Sequence, residues 1–368
     1  MSWIVWIFWA YCAFIGVRLT HLLIRYIALS LDRPGDIANT PPVSVIVCTR
    51  NEEHNIEELI PILLTQDYPN YELIVVLDRC GDNSLEIVKS WEQKDERFKS
   101  VIVDYLPDQF SPKKFGLTLS AKGASHEWLL FTDADCRPSS DQWIRSMATQ
   151  MTDNHDFVLG YAPYYAGHSL LNHFISYETF ETGVAYLSSA RLKNPYMGVG
   201  RNLGYRKSLF LEVKGFNRFQ GIMGGDDDLF VQHHAKPNRT AVALGYESLM
   251  YSAPELTLSS YWVQKKRHYS VSKFYKAVSK IKHSLKSVVL LSLWVTFTIL
   301  ALMNHQPEII YPVIGFYLVA IVLMNNSLTK KLGEGYSLWL TPILEWMYVL
   351  FIPVSVLASL FTKKVKWK

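Results

Sequence analysis

The run Glu127 to Thr132 is short and apolar and ends in Asp133-Ala134-Asp135. In extended chain, side chains two residues apart point the same way, so the two carboxylates converge. Hard divalent cations take oxygen ligands, and Mg²⁺ commonly uses one or two carboxylates plus substrate phosphates. Asp135, with Asp133 nearby, is therefore a candidate ligand set for Mg²⁺ or Mn²⁺. A solvated turn ahead of a helix would use the same residues. The buried strand in front favours the ligand reading.

A second acidic turn follows Val75-Val76-Leu77. Asp78 stands at the strand end, and Asp82 suits the cap of the next helix. The first strand runs into Thr49-Arg50-Asn51-Glu52-Glu53. No GxGxxG and no GxxxxGK[ST] occurs there, which removes a dinucleotide-binding turn and a P-loop. The polar turn suits contact with a nucleotide base and ribose through Thr49, Arg50 and Glu52. It also suits an acid-capped helix start.

Farther on come Gly198-Val199-Gly200-Arg201-Asn202-Leu203-Gly204-Tyr205-Arg206 and Gly224-Gly225-Asp226-Asp227-Asp228. Adjacent carboxylates repel and raise at least one pKa where they are partly buried. Two glycines permit close backbone approach, and such a loop can place a general base against an acceptor hydroxyl. The spacing is not that of an EF-hand, so a dedicated calcium site is disfavoured. Gln264-Lys265-Lys266-Arg267-His268-Tyr269 precedes an apolar stretch. Arg267 and His268 are candidates to clamp a departing diphosphate, and Lys265 and Lys266 to meet anionic lipid. Lys113 or Lys114 could line the ligand pocket, but both read best as a solvated helix start.

These residues need a frame. Val43–Thr49, Tyr71–Leu77, Phe98–Asp104 and Glu127–Thr132 read as buried strands. Asn55–Gln66, Asn83–Trp91 and Pro112–Ala124 read as helices between them, with Ser111 as a capping hydroxyl before a first-turn proline. The alternation predicts an α/β fold with a parallel sheet covered on both faces. Such sheets bind ligands beyond the carboxyl ends of their strands.

The chain has 368 residues, 49% hydrophobic and 19% charged, with net charge +4. That balance fits a globular domain plus membrane segments and gives no footprint for nucleic acid. Cys12, Cys48, Cys80 and Cys136 form neither a zinc pattern nor a disulfide framework. Trp3 to Val17 is apolar and is followed by Arg18, His21 and Arg25. Charge after the apolar core argues for a retained transmembrane helix, with Met1 outside and the following residues in the cytosol. Trp3, Trp6 and Trp9 suit an interfacial aromatic belt.

Ser287–Met303 and Ile309–Met324 read as a transmembrane hairpin. Ser337–Phe361 contains Pro342, Glu345 and Pro353. As a full span it would put Lys363, Lys364, Lys366 and Lys368 outside, whereas a kinked re-entrant segment would keep them inside. Both remain open. The expected domains are an N-terminal anchor over 1–31, a linker over 32–42, a cytosolic domain over 43–280 and a membrane region over 286–361. The expected location is the inner or plasma membrane, in contact with its lipids.

Taken in order over roughly Val43 to Ser270, these segments resemble the family 2 inverting glycosyltransferases of GT-A fold. The resemblance implies transfer of a sugar from a nucleotide-sugar donor to a lipid-linked or glycan acceptor. It implies that Asp78 contacts the base, that Asp133 and Asp135 are the metal-binding pair, and that Asp226 is the catalytic base, with Asp227 second. Gln264 to His268 looks like the QxxRW motif of processive synthases, but His268 stands where that motif has Trp. The loss favours single or limited transfer over processive synthesis. Gly225 stands where the family often has Glu before the base. A sugar-1-phosphate nucleotidyltransferase is a more distant reading, because the first turn lacks the Gly-rich, basic loop that it needs.

Overall fold

The computed structural model describes residues 3–31, 35 and 38–360. The chain divides into two compact units. One takes the N-terminal helix, Ala166–Val184 and the chain from Glu255 onward. The other takes the stretch up to Tyr165 and Ala185–Pro254.

The second unit is α/β. Its strands are β1 (Val43–Thr49), β2 (Tyr71–Asp78), β3 (Phe98–Val103), β4 (Trp128–Asp133), β5 (Cys136–Pro138), β6 (Phe157–Leu159), β7 (Leu203–Arg206), β8 (Thr240–Val242) and β9 (Met250–Ser252). Seven of them form one sheet in the order β3-β2-β1-β4-β7-β6-β8, and β5 pairs with β9 apart from it. The first four strands of that order run parallel, and β7 is antiparallel to both β4 and β6. Every residue of β1 and β2 is buried, as a sheet covered on both faces requires. Val45, Val47, Leu73, Val75 and Leu130 pack into the core with Ile56, Leu59 and Leu63 of the helix Glu53–Leu64.

The four expected strands and three expected helices are present, with ends shifted by one or two residues. The helix Pro112–Gly123 starts at its proline, but the Ser111 hydroxyl makes no cap bond. Instead the Ser111 N–H donates to the carbonyl of Gln220. Register fixes the site. Cys48 of β1 pairs with Asp133, Thr49 pairs with Leu77, and Asp78 follows Leu77 directly. Asp78 and Asp133 therefore end the two strands that flank β1.

The first unit is helical. Among the described residues, four segments are long and apolar enough to cross a membrane: Trp3–Ser30, Ala277–Leu302, Pro307–Leu332 and Leu338–Ser355. The second and third extend well past the expected hairpin bounds. Trp3, Trp6 and Trp9 are exposed, as lipid-facing side chains would be. The last expected segment forms one helix, Thr341–Leu360, with Pro353 inside it. Phe361 and the terminal lysines lie outside the described residues. Glu345 is a helix–helix contact, accepting from Arg18 and Tyr317. Lys265 is not a lipid-facing lysine: its ammonium is buried and bonded to Glu178.

Candidate active site

The C-terminal ends of β2 and β4 carry Asp78 and Asp133, while Asp226 lies in the turn before the helix Asp228–His234. Asp133 closes β4, and its Oδ1 accepts from the Lys113 ammonium at 2.7 Å. The same ammonium lies 3.3 Å from Asp226 Oδ2. One lysine in the first turn of the helix Pro112–Gly123 thus joins two carboxylates from distant parts of the sequence. Lys113 is not a solvated helix start. Its side chain is 14% exposed, and Lys114 beside it is fully buried. The Lys114 ammonium donates to the carbonyls of Phe219 (2.9 Å), Ile222 (2.7 Å) and Gly224 (2.5 Å).

The acidic triplet divides its tasks. Asp227 Oδ2 accepts from the Gly200 N–H at 2.7 Å, and Oδ1 accepts from the Asp228 N–H at 2.7 Å. It thereby caps the helix Asp228–His234. Gly200 suits this approach: a Cβ there would stand 3.3 Å from Asp227 Oδ2, close enough that the carboxylate would have to give by a few tenths of an ångström. Asp228 is buried and accepts from the Leu229 N–H. Asp226 has neither backbone tie and faces Lys113. Gly224 and Gly225 both have φ of +79°, a conformation that glycine adopts without strain. Lys113, Phe131, Thr132, Asp133, Gly200, Asp226 and Asp227 line one cleft.

Charge in this cleft is unevenly compensated. Burial pushes Asp226 upward, but Lys113 and then Lys114 outweigh it and hold the carboxyl below its usual value. Burial and the neighbouring Asp226 charge raise Asp227. Burial alone would lower Lys113, yet Asp133 and Asp226 raise it well above the ordinary lysine range. Asp226 and Asp227 are thus pushed in opposite directions, with Asp226 the more acidic of the two.

Asp135 is exposed, and its Oδ1 lies 3.5 Å from the Cys136 thiol. Among the described residues no group of three His, Cys, Asp or Glu side chains forms a ready cage for a cation. The residues present still fit a divalent ion that completes its shell with substrate phosphates. Asp133 and Asp135 supply the two carboxylates such an ion takes, and positive charge is already accommodated between Asp133 and Asp226.

Thr49, Arg50, Glu52 and Asp78, four of the residues expected to meet a donor, lie at the ends of β1 and β2 or in the turn after β1. Asp78 is buried and held by Arg79, with Nε to Oδ1 at 2.8 Å and the second arm to Oδ2 at 3.1 Å. The turns after β1 and β2 are knitted together. Asn51 Oδ1 accepts from the Gly81 N–H, Asp82 Oδ2 from the Glu53 N–H, and Glu53 Oε2 from the Asn83 N–H. Asp82 also accepts from the Ser84 N–H, so it builds the turn, while the N-cap of the next helix is Asn83. Glu52 accepts from the Asn55 side chain. The Thr49 hydroxyl, the Arg50 Nε and the Thr132 hydroxyl are buried without a hydrogen-bond partner. Buried polar atoms are rarely left so, and three at one strand edge are an opening for a polar ligand.

Residues 44–213 match the family described as glycosyl transferase family 2. The matched segment runs from β1 through the DxD turn to the helix Lys207–Glu212. Among curated relatives, an uncharacterized glycosyltransferase of Haemophilus influenzae is 30% identical over 162 residues, covering 43% of this chain and 46% of the relative. Glycosyltransferase AglE of Haloferax volcanii is 31% identical, covering 33% and 39%. The Escherichia coli UDP-Glc:alpha-D-GlcNAc-diphosphoundecaprenol beta-1,3-glucosyltransferase WfgD is 28% identical, covering 36% and 51%. The chain thus spans about half or less of the length of these relatives. Mannosyltransferase PcManGT from Pyrobaculum calidifontis, solved with GDP-Man and Mn²⁺, shares the fold. Its TM-score is 0.64 at 16% identity, over 97% of this chain and 99% of that one.

Arg267 and His268 lie on the helix Leu258–Ser272 of the helical unit. Asp78, Asp133, Asp135 and Asp226 belong to the α/β unit. Sequence reasoning allowed Lys113 or Lys114 a place in the ligand pocket but preferred a solvated helix start for both. A usable signal existed. Two lysines in the first turn of a helix oppose its dipole, so they need anionic or carbonyl partners close by.

Proposed function

We propose that this chain is a membrane-anchored, inverting glycosyltransferase that moves a sugar from a nucleotide-diphosphate sugar to a hydroxyl of a lipid-linked or glycan acceptor. The observation that carries the reading is the meeting of Asp133 and Asp226 around the single ammonium of Lys113, at the carboxyl edge of a largely parallel sheet. Open α/β sheets bind their ligands at this edge. The family match over residues 44–213 supports the same chemistry.

In this mechanism the turn residues Thr49, Arg50 and Glu52, with Asp78 behind them, receive the nucleoside. Asp226 is the base. It takes the proton from the acceptor hydroxyl as that oxygen forms its bond to the anomeric carbon. The bond from that carbon to the diphosphate oxygen breaks on the opposite face, so configuration inverts and the nucleoside diphosphate leaves with the electron pair. Asp227 is the weaker candidate for base, since both its oxygens are engaged by backbone N–H groups. Mg²⁺ or Mn²⁺ at Asp135 and Asp133 would supply Lewis-acid neutralisation of charge on the leaving group. Lys113 holds Asp226 ionised and turned toward the cleft. The four long apolar helices support a membrane location, and in this reading the α/β unit faces the cytosol and its nucleotide sugars.

The test is a panel of labelled UDP-, GDP- and dTDP-sugars supplied to purified membranes, with and without chelator. Label in extractable lipid is the expected outcome for single or limited transfer, and label in insoluble polymer would mark processive synthesis. Pyrophosphate release from a nucleoside triphosphate and a sugar phosphate, with no transfer from any donor, would overturn the reading.

A further inference from the structure

Lys114 is fully buried, yet no carboxylate bonds it. Burying a lysine ammonium is costly unless its three N–H groups are all used. Here three carbonyls, those of Phe219, Ile222 and Gly224, take them, and the Phe219 ring lies 5.2 Å from the nitrogen. All three carbonyls belong to the short segment that leads into Gly225 and Asp226. That segment has little regular structure of its own: a single 3₁₀ turn, Asn217–Phe219, and then two glycines at positive φ. Among the described residues its backbone ties are few: the Phe219 N–H to the Phe216 carbonyl, the Ile222 N–H to the Phe219 carbonyl, and the Ser111 N–H to the Gln220 carbonyl.

We propose that Lys114 is a positioning residue, whose ammonium gathers these three carbonyls and so fixes the turn that presents Asp226 to the acceptor. The proposal rests on the reading of Asp226 as the base. It gives the Lys113-Lys114 pair two distinct tasks, one lysine on the carboxylate and the next on the backbone that carries it. The groups around the Lys114 ammonium explain its sensitivity to pH. Burial lowers its pKa to about 8, against the pull of Asp226, Asp228 and Asp227. Lys113 adjoins it on the same helix, and His233 stacks on the Phe219 ring. Deprotonation near pH 8 removes the charge that grips the carbonyls, so the turn loosens as pH rises through that value.

The experiment compares Lys114→Met, Lys114→Gln and Asp226→Asn in the full-length protein, by transfer kinetics and by amide hydrogen exchange over residues 219–227. Lys114→Met is expected to lower kcat by roughly 10- to 100-fold, the range a displaced catalytic group produces, with donor KM within about threefold. Exchange in 219–227 should accelerate while that of β1 and β4 does not. Lys114→Gln, which keeps two N–H donors, should fall between Lys114→Met and the parent. Wild-type protein should show faster exchange in the same segment as pH rises past about 8, beyond the intrinsic pH effect. Unchanged exchange and unchanged kcat in Lys114→Met overturn the proposal. If Lys114→Met does not fold, Lys114→Gln and the wild-type pH series decide in the same way. Full activity in Asp226→Asn would instead sink the base assignment, while the exchange data still judge whether Lys114 holds the turn.

Discussion

Each unit of the molecule contains a cluster of acids and bases, and the two are built on opposite plans. In the helical unit, Glu181 is ringed by Lys286 at 2.9 Å, Arg25 at 3.2 Å and Arg18 at 3.9 Å. Arg18 also reaches Glu345 at 3.0 Å, and Glu345 accepts from the Tyr317 hydroxyl. Three cations meet two carboxylates, and they are drawn from four helices, Arg18 and Arg25 sharing the N-terminal one. In the α/β unit, Lys113 serves both Asp133 and Asp226, Asp227 is satisfied by backbone, and Asp135 stands in solvent. Acid exceeds base there, and one acid is open. The first arrangement ties elements together and leaves no role for an added cation. The second has more carboxylates than lysines at a strand edge, as the cation and diphosphate of the proposed function would require.

The contrast is broken most severely at the base. Asp226→Asn is expected to cut transfer by roughly 10² to 10⁴, the usual worth of general base catalysis, with the donor still bound. Steady-state rates and donor binding on the same preparation check this. The pH profile adds a sign. Lys113 and Lys114 hold Asp226 below its usual pKa, so wild-type activity should persist on acidification until pH falls below the ordinary aspartate range of about 4. Lys113→Met removes the main lowering influence. Its acid limb should move to higher pH, and a limb that stays in place would show that Lys113 does not tune the base.

The closed cluster should answer in stability. Glu181→Gln leaves Arg25 and Lys286 buried without their counter-charge, and breaking such a pair costs about 3 to 5 kcal/mol. Thermal unfolding in detergent should show a clear drop in midpoint. A midpoint equal to the parent's would mean that the ring around Glu181 is no clamp, and the distinction between the clusters would lose its first half.

The open cluster yields a smaller effect at its exposed member. Asp135→Asn should lower transfer by roughly a hundredfold, in line with loss of a carboxylate from a Lewis-acid site. Chelator should produce a similar loss in the parent, reversed by Mg²⁺ or Mn²⁺. Insensitivity to both would remove the metal from the mechanism and leave Lys113 as the cation of the site.

Much of this was legible in the sequence, and the reasons differ by residue. Periodicity and β-branched runs located β1 to β4, because strands buried on both faces must be continuously apolar. Strand ends then placed Asp78 and Asp133 without any coordinates, since parallel strands carry ligand sites at that end. Asp226 was visible only through its glycines and its like-charged neighbours. Its separation from Asp227 was not, because the Gly200 and Asp228 N–H groups that occupy Asp227 come from turn geometry. Lys113 and Lys114 were hidden for the same reason. Lysine in a first turn is ordinarily solvent-facing, and only the fold brings Asp133, Asp226 and the carbonyls of 219–224 to it. In the helical unit, Arg18 and Arg25 were read as topology signals, and their pairing with Glu181 and Glu345 could not be read from local sequence.

One further carboxylate tests whether closed and open clusters differ by unit or by compensation. Glu72, in β2 of the α/β unit, is buried and accepts from Lys99, from the hydroxyls of Ser44 and Ser125, and from the Ser125 N–H. It is as fully engaged as Glu181, though its lysine is about half exposed. Burial raises its pKa, but Lys99, Ser44 and Ser125 together bring it below the usual value. A carboxyl depressed in the folded state stabilises above its unfolded pKa and loses that contribution as pH falls through the folded one. Glu72→Gln should therefore cost about 1 to 2 kcal/mol at neutral pH, reduced by solvent screening of Lys99. The deficit should shrink below about pH 4, where the parent's carboxyl also protonates. Transfer at a temperature where both proteins are folded should be unchanged. If Glu72→Gln instead lost transfer while keeping its stability, compensation would not mark the structural carboxylates, and the contrast between the two clusters would need another cause.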